Sequence, residues 1–161
     1  MSLPDTDGTD NLFRKAGNIM YRETLLKYQK DNPWINIAPP APSERIKTTA
    51  RDLSTEFPEP LKELLLEMDG DGVFLMNLNL IVRANRLARS LGDPPDARKI
   101  LIFAKSDLPK QYYGYIAEDE QPTNEITVYK RGIYMLTPER SAEPVAWDIT
   151  SLVELFHEGK I

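Results

Sequence analysis

One short motif in the sequence has residue types that could bind a metal ion. Asp69-Gly70-Asp71-Gly72 places two carboxylates on a glycine-rich turn, and hard cations such as Ca²⁺ prefer oxygen ligands of this kind. An EF-hand loop also needs oxygen ligands at fixed later positions and a glutamate at its twelfth, whereas the apolar run Val73-Phe74-Leu75-Met76 follows here at once. The pattern therefore favours a helix end followed by a turn over a metal site, and we expect neither a metal nor a cofactor.

Residues suited to nucleophilic catalysis are sparse. The chain has no cysteine, which excludes disulfides, thiolate metal ligands and thiol nucleophiles. His157 is the single histidine, so a zinc site that needs two histidines cannot form within one chain. Neither Ser141 nor Ser151 lies in a nucleophile elbow, and no glycine-rich phosphate loop is present. We predict that the protein is not an enzyme and assign no catalytic residue; we expect His157 to lie at the surface or to cap the last helix.

Charge is unevenly distributed along the chain. Lysine and arginine total 20, aspartate and glutamate total 25, and the net charge of −5 argues against direct binding of nucleic acid. Residues 78–105 carry an excess of four positive charges, and residues 106–125 carry an excess of four negative charges. Solvated surfaces would account for both segments, and contact with a partner protein is the alternative.

Within the acidic segment, the run Glu118-Asp119-Glu120 follows three tyrosines, and this combination favours a protein-binding surface. Tyrosines supply contact energy, and acidic side chains steer the approach of a basic partner. We therefore name six candidate partner-binding residues: Tyr112, Tyr113, Tyr115, Glu118, Asp119 and Glu120.

Residues 1–42 predict a helix and a proline-rich strap. Apolar residues recur mostly at helical spacing from about residue 10 to residue 30. Four prolines between Asn32 and Pro42 then hold the chain extended. Because Trp34 and Ile35 are large apolar side chains, we expect the strap to lie against the domain. A proline-motif ligand for a partner is the alternative.

The next segment predicts two helices in succession. Ser43 can cap a helix in which Ile46, Ala50, Leu53 and Phe57 form one apolar stripe. A second helix follows, because two prolines suit its first turn and a glycine is the expected stop. These three residues are Pro58, Pro60 and Gly70.

The later part of the chain predicts two more helices and several strands. Residues 80–91 form a short helix that Gly92 ends, and residues 148–158 form the last helix. The apolar residues on one side of the first of these helices are Leu80, Ala84, Leu87, Ala88 and Leu91. Runs rich in β-branched and aromatic residues predict strands at 73–76, 99–104, 112–117, 125–130 and 133–135. Helices before strands indicate an α+β fold, with helices covering a largely antiparallel sheet.

No stretch of the sequence predicts a membrane span or a secretory signal. No apolar run approaches the roughly 20 residues that cross a bilayer, and the first residues are acidic and polar. We therefore expect a cytoplasmic protein without a membrane partner.

The order of elements from Ser43 onwards resembles the SUKH superfamily, the Smi/Knr-like group of bacterial immunity proteins and fungal cell-wall regulators. Its opening signature is a short helix, a Leu-Pro or similar step, and a helix that ends in Asn-Gly or Asp-Gly. The residues that match this signature are Ile46, Ala50, Leu53, Phe57-Pro58, Leu61, Leu64-Leu65 and Met68-Asp69-Gly70. The segments that look like the family's later elements are Ile102-Phe103-Ala104, Tyr112-Tyr113-Gly114-Tyr115, 126–129, Val145-Ala146 and 151–156.

The resemblance implies a SUKH-like α+β domain over residues 43–161, preceded by an extra N-terminal helix and strap at 1–42. It also implies a non-enzymatic protein-binding function. In this family the commonest role is that of an immunity protein that neutralises a cognate toxin, often a nuclease, encoded nearby. A regulatory or scaffolding module of Smi/Knr type is the alternative. The resemblance does not identify the partner, the contacting surface or the oligomeric state.

Overall fold

The computed structural model describes residues 21–118, 127–137 and 140–161. Along these residues, four α-helices precede the strands and a fifth follows them. The first described helix, α1, covers residues 21–29. The other helices are α2 (Ser43–Asp52), α3 (Glu59–Glu67), α4 (Leu78–Leu91) and α5 (Ile149–His157), with a short 3₁₀ helix at Ala97–Lys99. The strands are β1 (Ile100–Lys105), β2 (Tyr112–Ile116) and β3 (Tyr134–Thr137). The predicted α+β class is confirmed.

The helix α2 is shorter than predicted and lacks the predicted cap. Ile46 and Ala50 lie on its buried side, but the helix ends at Asp52, so Leu53 is its C-cap and Phe57 lies beyond it; all four side chains are buried. Ser43 is the first helical residue and Pro42 occupies the N-cap, without a side-chain hydrogen bond to the helix. The predicted Ser43 cap is therefore wrong, because the extended strap continues up to Pro42.

The helix α3 begins where the prolines predicted and ends before the predicted glycine. Pro58 is the N-cap and Pro60 lies in the first turn. The helix stops at Glu67 because Met68 is extended, with φ −158° and ψ 142°, and Asp69 donates its amide to the Pro39 carbonyl of the strap at 3.0 Å. Gly70 is thus not the helix stop.

The sheet is antiparallel, with strand order β1-β2-β3. Ile100 pairs with Ile116 and Ile102 pairs with Gly114, and a bulge follows Ile102. Gly114 is required at its position, because a Cβ atom there would lie 1.9 Å from the Leu101 carbonyl oxygen.

Two of the predicted strands are isolated bridges in the structure. Of residues 73–76, Leu75 forms a single antiparallel bridge with Ala104, on the edge of β1 that faces away from β2. The predicted strand at 125–130 contributes the bridge of Ala117 to Tyr129, and its first two residues lie outside the described residues. Both segments therefore pair with the sheet over shorter lengths than predicted.

The strap packs against the rest of the molecule through backbone hydrogen bonds. The amides of Asn36, Ala38 and Ala41 donate to the carbonyls of Asp71, Gly70 and Leu65, respectively, at 2.7 to 3.2 Å. Ile35 is buried, as predicted, but Trp34 remains 80% exposed. Leu25 of α1 and Ile35 of the strap belong to the same hydrophobic core as α2 to α5. Residues 21–42 therefore contribute to the same hydrophobic core as the residues after Ser43.

None of the helices in the described parts of the chain is long and apolar enough to cross a membrane.

Candidate protein-binding site

The helix α4 presents apolar side chains on two sides. Its inward side, which packs on the core, consists of Leu78, Ile81, Asn85 and Ala88. On the outward side, Leu80, Leu87 and Leu91 are 42%, 55% and 67% exposed. We call the outward side, with Leu80, Arg83, Ala84, Arg86, Leu87 and Leu91, the α4 outer face.

The hydrogen bonds of Asn85 explain which side of α4 faces the core. The Asn85 side-chain amide donates to the Ile102 carbonyl at 2.9 Å, and its oxygen accepts from the Ile102 amide at 2.8 Å. One side chain thus satisfies both backbone groups of a buried β1 residue. Asn85 therefore faces the core, and most of the apolar stripe that the sequence predicted for one side of this helix faces solvent.

Two open grooves flank the α4 outer face. The first, about 570 Å³, lies between α4 and the segment 69–77, and its far wall includes Lys105, Asp107 and Tyr112. The second, about 790 Å³, lies between α4 and α2. Arg83 and Leu87 line both grooves, so they form a ridge between two concave surfaces.

The charges on α4 all have one sign. The helix contains Arg83, Arg86 and Arg89 and no acidic residue. Arg89 turns inward and donates to the Leu53 carbonyl at 2.6 Å, and burial lowers the pKa of its guanidinium. Arg83 and Arg86 are exposed. Among the described residues, neither has a carboxylate within salt-bridge distance, so both remain available to an acidic group.

Asp71 builds the turn that forms one wall of the first groove. Its Oδ1 atom accepts the amides of Val73, Phe74 and Leu75 at 2.8 to 2.9 Å. The side chain is fully buried, and burial raises the pKa of this carboxyl, while the three amides and His157 act in the opposite direction. The carboxylate that might have bound a metal therefore organises the backbone of the Asp-Gly-Asp-Gly turn.

His157 is half-buried at the C-terminal end of α5. Its ring stacks on Tyr28 of α1, with ring centroids 4.9 Å apart. Burial lowers the pKa of His157, and the negative charge of Asp71 opposes that shift. The imidazole thus joins α5 to α1 as part of the packing, besides lying at the predicted helix end.

Of the two serines considered as nucleophiles, Ser141 uses its hydroxyl oxygen structurally. Ser141 Oγ accepts the Met135 amide at 3.1 Å, whereas Ser151 lies in the first turn of α5, where its backbone amide donates to the N-cap residue Asp148. Across residues 21–118, 127–137 and 140–161, no group of three or more histidine, aspartate or glutamate side chains is arranged to hold a metal ion.

The structure describes four of the six residues predicted to bind a partner, and it does not place these four on one surface. Tyr112 is partly buried and lines the first groove, and Glu118 is exposed. Asp119 and Glu120 lie outside the described residues.

Tyr113 and Tyr115 are in the core, which corrects their prediction as surface contacts. They are 1% and 7% exposed. Tyr115 stacks on Phe103 at a centroid distance of 5.3 Å, and the Tyr113 hydroxyl accepts from Gln111 at 2.7 Å. Tyr113 also contacts the ring of Phe74, and Tyr115 contacts that of Tyr129, so both tyrosines pack inside the molecule and are not available to a partner.

Sequence reasoning missed the α4 outer face as a surface. The available signal was that α4 carries apolar residues at more positions than one buried stripe requires.

No family model matches the chain, and no curated protein matches it. The relationship to the SUKH superfamily therefore remains a prediction from the sequence motifs.

Proposed function

We propose that this protein is a non-enzymatic, protein-binding domain that acts as a bacterial immunity protein and neutralises a cognate toxin encoded nearby. That the partner is a toxin is inferred from the resemblance to the SUKH superfamily. The observation that carries the binding function is the exposed apolar face of α4, since large apolar patches on a monomer mark interaction sites.

The geometry of the α4 outer face suits a protein partner. Leu80, Leu87 and Leu91 would be desolvated on binding. Complete burial of an exposed leucine contributes roughly 1.5–3 kcal/mol, and these leucines, which are already partly buried, would each contribute about half of that. The two grooves beside the Arg83–Leu87 ridge give the surface relief, which a partner needs for close packing. Tyr112, at the wall of the first groove, adds a side chain type that is common in such interfaces.

A regulatory or scaffolding module is the second candidate, and one observation favours it. Trp34 lies in the proline-containing strap and is 80% exposed, and Trp147 is 61% exposed beside Arg131. A scaffold contacts more than one partner and needs more than one such surface, whereas an immunity protein needs a single one.

Growth rescue tests the immunity function. The neighbouring toxin gene is expressed from an inducible promoter in a sensitive strain, with or without this chain. We expect the wild-type chain to restore growth and Leu87→Glu to fail, because a charge replaces an apolar contact. Lysis or arrest in the presence of soluble wild-type chain, together with no binding at micromolar concentration, would refute the immunity function.

The matched control is Leu26→Glu. Leu26 is also a partly exposed helical leucine, 45% accessible, but it lies on α1 and lines neither groove beside α4. We expect this variant to rescue growth like the wild type. Both variants are first compared with the wild type by thermal unfolding, so that loss of rescue can be separated from loss of fold.

A further inference from the structure

We propose that the α4 outer face binds an acidic amphipathic helix of the partner protein. The proposal rests on the protein-binding function and adds the chemistry of the partner segment. Three observations carry it: the spacing of the exposed leucines, the two exposed arginines next to them, which form no salt bridge with a carboxylate of the described residues, and the grooves on either side.

The exposed apolar residues of α4 form a stripe along the helix. Leu80, Ala84, Leu87 and Leu91 follow one another at intervals of four, three and four residues. These are the intervals that align side chains on one side of an α-helix. At 1.5 Å per residue the stripe is about 16 Å long, which matches three turns of a second helix. Helix-in-groove recognition uses apolar anchors at the same spacing.

The charges next to this stripe select an acidic partner. Arg83 and Arg86 lie between the leucines in the sequence, are exposed, and belong to a helix without any acidic residue. On the groove walls, Arg45 already pairs with Asp69 at 3.2 Å. The remaining charged wall residues, Lys105, Asp52 and Asp107, nearly cancel. The two guanidinium groups therefore make the ridge positively charged. Carboxylates bind arginine in a strong bidentate geometry.

A second copy of the same chain fits this face less well. A two-fold dimer places the same surface patch of each copy against the other. Here such a contact would place the patch that carries Arg83 and Arg86 against the same positively charged patch of the other copy, and like charges oppose association. Nucleic acid also fits poorly, since exposed leucines supply no phosphate contacts and the whole chain carries a net charge of −5.

Peptide selection tests the proposal without knowledge of the partner. A phage library of random 16-residue peptides is selected against the immobilised full-length chain. We expect enriched peptides with apolar residues at i, i+3 or i+4 and i+7, and with two or more aspartates or glutamates on the flanks of that stripe. A synthetic copy of the best peptide should bind at least tenfold more weakly to Arg83→Glu/Arg86→Glu and to Leu87→Glu. Its affinity should fall as salt rises.

The control variant is Lys30→Glu, which reverses one exposed cation outside both grooves and should leave the affinity unchanged. The proposal is overturned if no peptide is enriched, if the enriched peptides lack an acidic bias, or if the α4 variants bind them like the wild type. A dimer in sedimentation that dissociates on Leu87→Glu would identify a second copy as the occupant and would also overturn it.

Selection and growth rescue can fail separately. A chain that restores growth but selects no acidic helix refutes only the partner chemistry. A chain that selects acidic helices through α4 but does not restore growth refutes only the immunity function.

Discussion

Two buried carboxyl groups with opposite roles show how single residues shape this molecule. Asp71 satisfies three backbone amides with one oxygen, whereas Glu67 accepts the Arg22 amide at 3.0 Å and is only 8% exposed. Burial is the main cause of a raised pKa at both residues. At Asp71 the three amide hydrogen bonds oppose this rise. At Glu67 the pKa reaches about 7, so this carboxyl should titrate near neutral pH.

Removal of the Asp71 acceptor should destabilise the fold strongly. Asp71→Ala leaves three amides without an acceptor, two of them in buried surroundings, and each unsatisfied buried donor costs about 1–3 kcal/mol. We expect a loss of at least about 3 kcal/mol in the free energy of unfolding, measured by urea denaturation. Asp71→Asn keeps an oxygen acceptor and should lose less. Equal losses for both variants would show that the amide hydrogen bonds do not hold the turn.

Ionisation of Glu67 should lower the stability of the fold as pH rises. Burial raises its pKa from 4.5 to about 7, so between these values the folded chain keeps a proton that the unfolded chain has lost. The free energy of unfolding therefore decreases as pH rises through this window. We expect Glu67→Gln to be more stable than the wild type at pH 8, by on the order of 3 kcal/mol, and nearly equal to it at pH 4. A difference that does not change between pH 4 and pH 8 would contradict the raised pKa.

At the scale of elements, Asn85 joins α4 to β1. Its side-chain amide and oxygen bond both the carbonyl and the amide of Ile102, next to the bulge in the β1–β2 pairing. The same side chain also donates to Ile81 within the helix at 2.7 Å. This contact fixes the rotation of α4 about its axis and hence which leucines remain outside.

Asn85→Ala should loosen this contact without an equal effect on the rest of the sheet. Two backbone groups of a buried strand residue lose their partners, and we expect a loss of about 2–4 kcal/mol. Hydrogen exchange should speed up most at the Ile102 amide, which donates to Asn85. If exchange at Ile102 stayed as slow as that of its neighbours in β1, another group would have to protect that amide.

The sequence predicted elements well where one apolar stripe determined them. The apolar residues Ile46, Ala50, Leu53 and Phe57 are buried as expected, although the helix they predicted ends at Asp52, before the last two. In α4 the apolar pattern was ambiguous, and a polar residue, Asn85, decided the rotation through hydrogen bonds that periodicity does not register.

The candidate site could be predicted only in part, for related reasons. Tyr113 and Tyr115 were expected to contact a partner, but burial of a tyrosine depends on what covers the strand, and that cannot be determined from the strand's own residues. Tyr112 is the member of this group that lines a groove. The exposure of the α4 leucines required the three-dimensional arrangement of α2, α4 and β1.

For the molecule as a whole, the charge pattern has a different meaning from the one expected. Among the positive residues at 78–105, Arg89 points inward and donates to a backbone carbonyl. Arg83 and Arg86 are exposed beside the leucines of α4. Within the acidic segment at 106–125, Glu118 is exposed, and Asp107 is an exposed wall residue of the first groove beside α4. Residues of both segments therefore line the first groove.

The most direct test of the protein-binding face is the affinity for the toxin encoded by the neighbouring gene, measured by titration calorimetry. Leu80→Ser/Leu87→Ser is compared with Glu118→Lys, which alters the acidic surface, and with the wild-type chain. We predict that the leucine variant binds at least tenfold more weakly, a loss of about 1.4 kcal/mol or more, while Glu118→Lys binds like the wild type. Unchanged affinity of the folded leucine variant, with weaker binding by Glu118→Lys, would contradict the assignment of α4 as the contact surface.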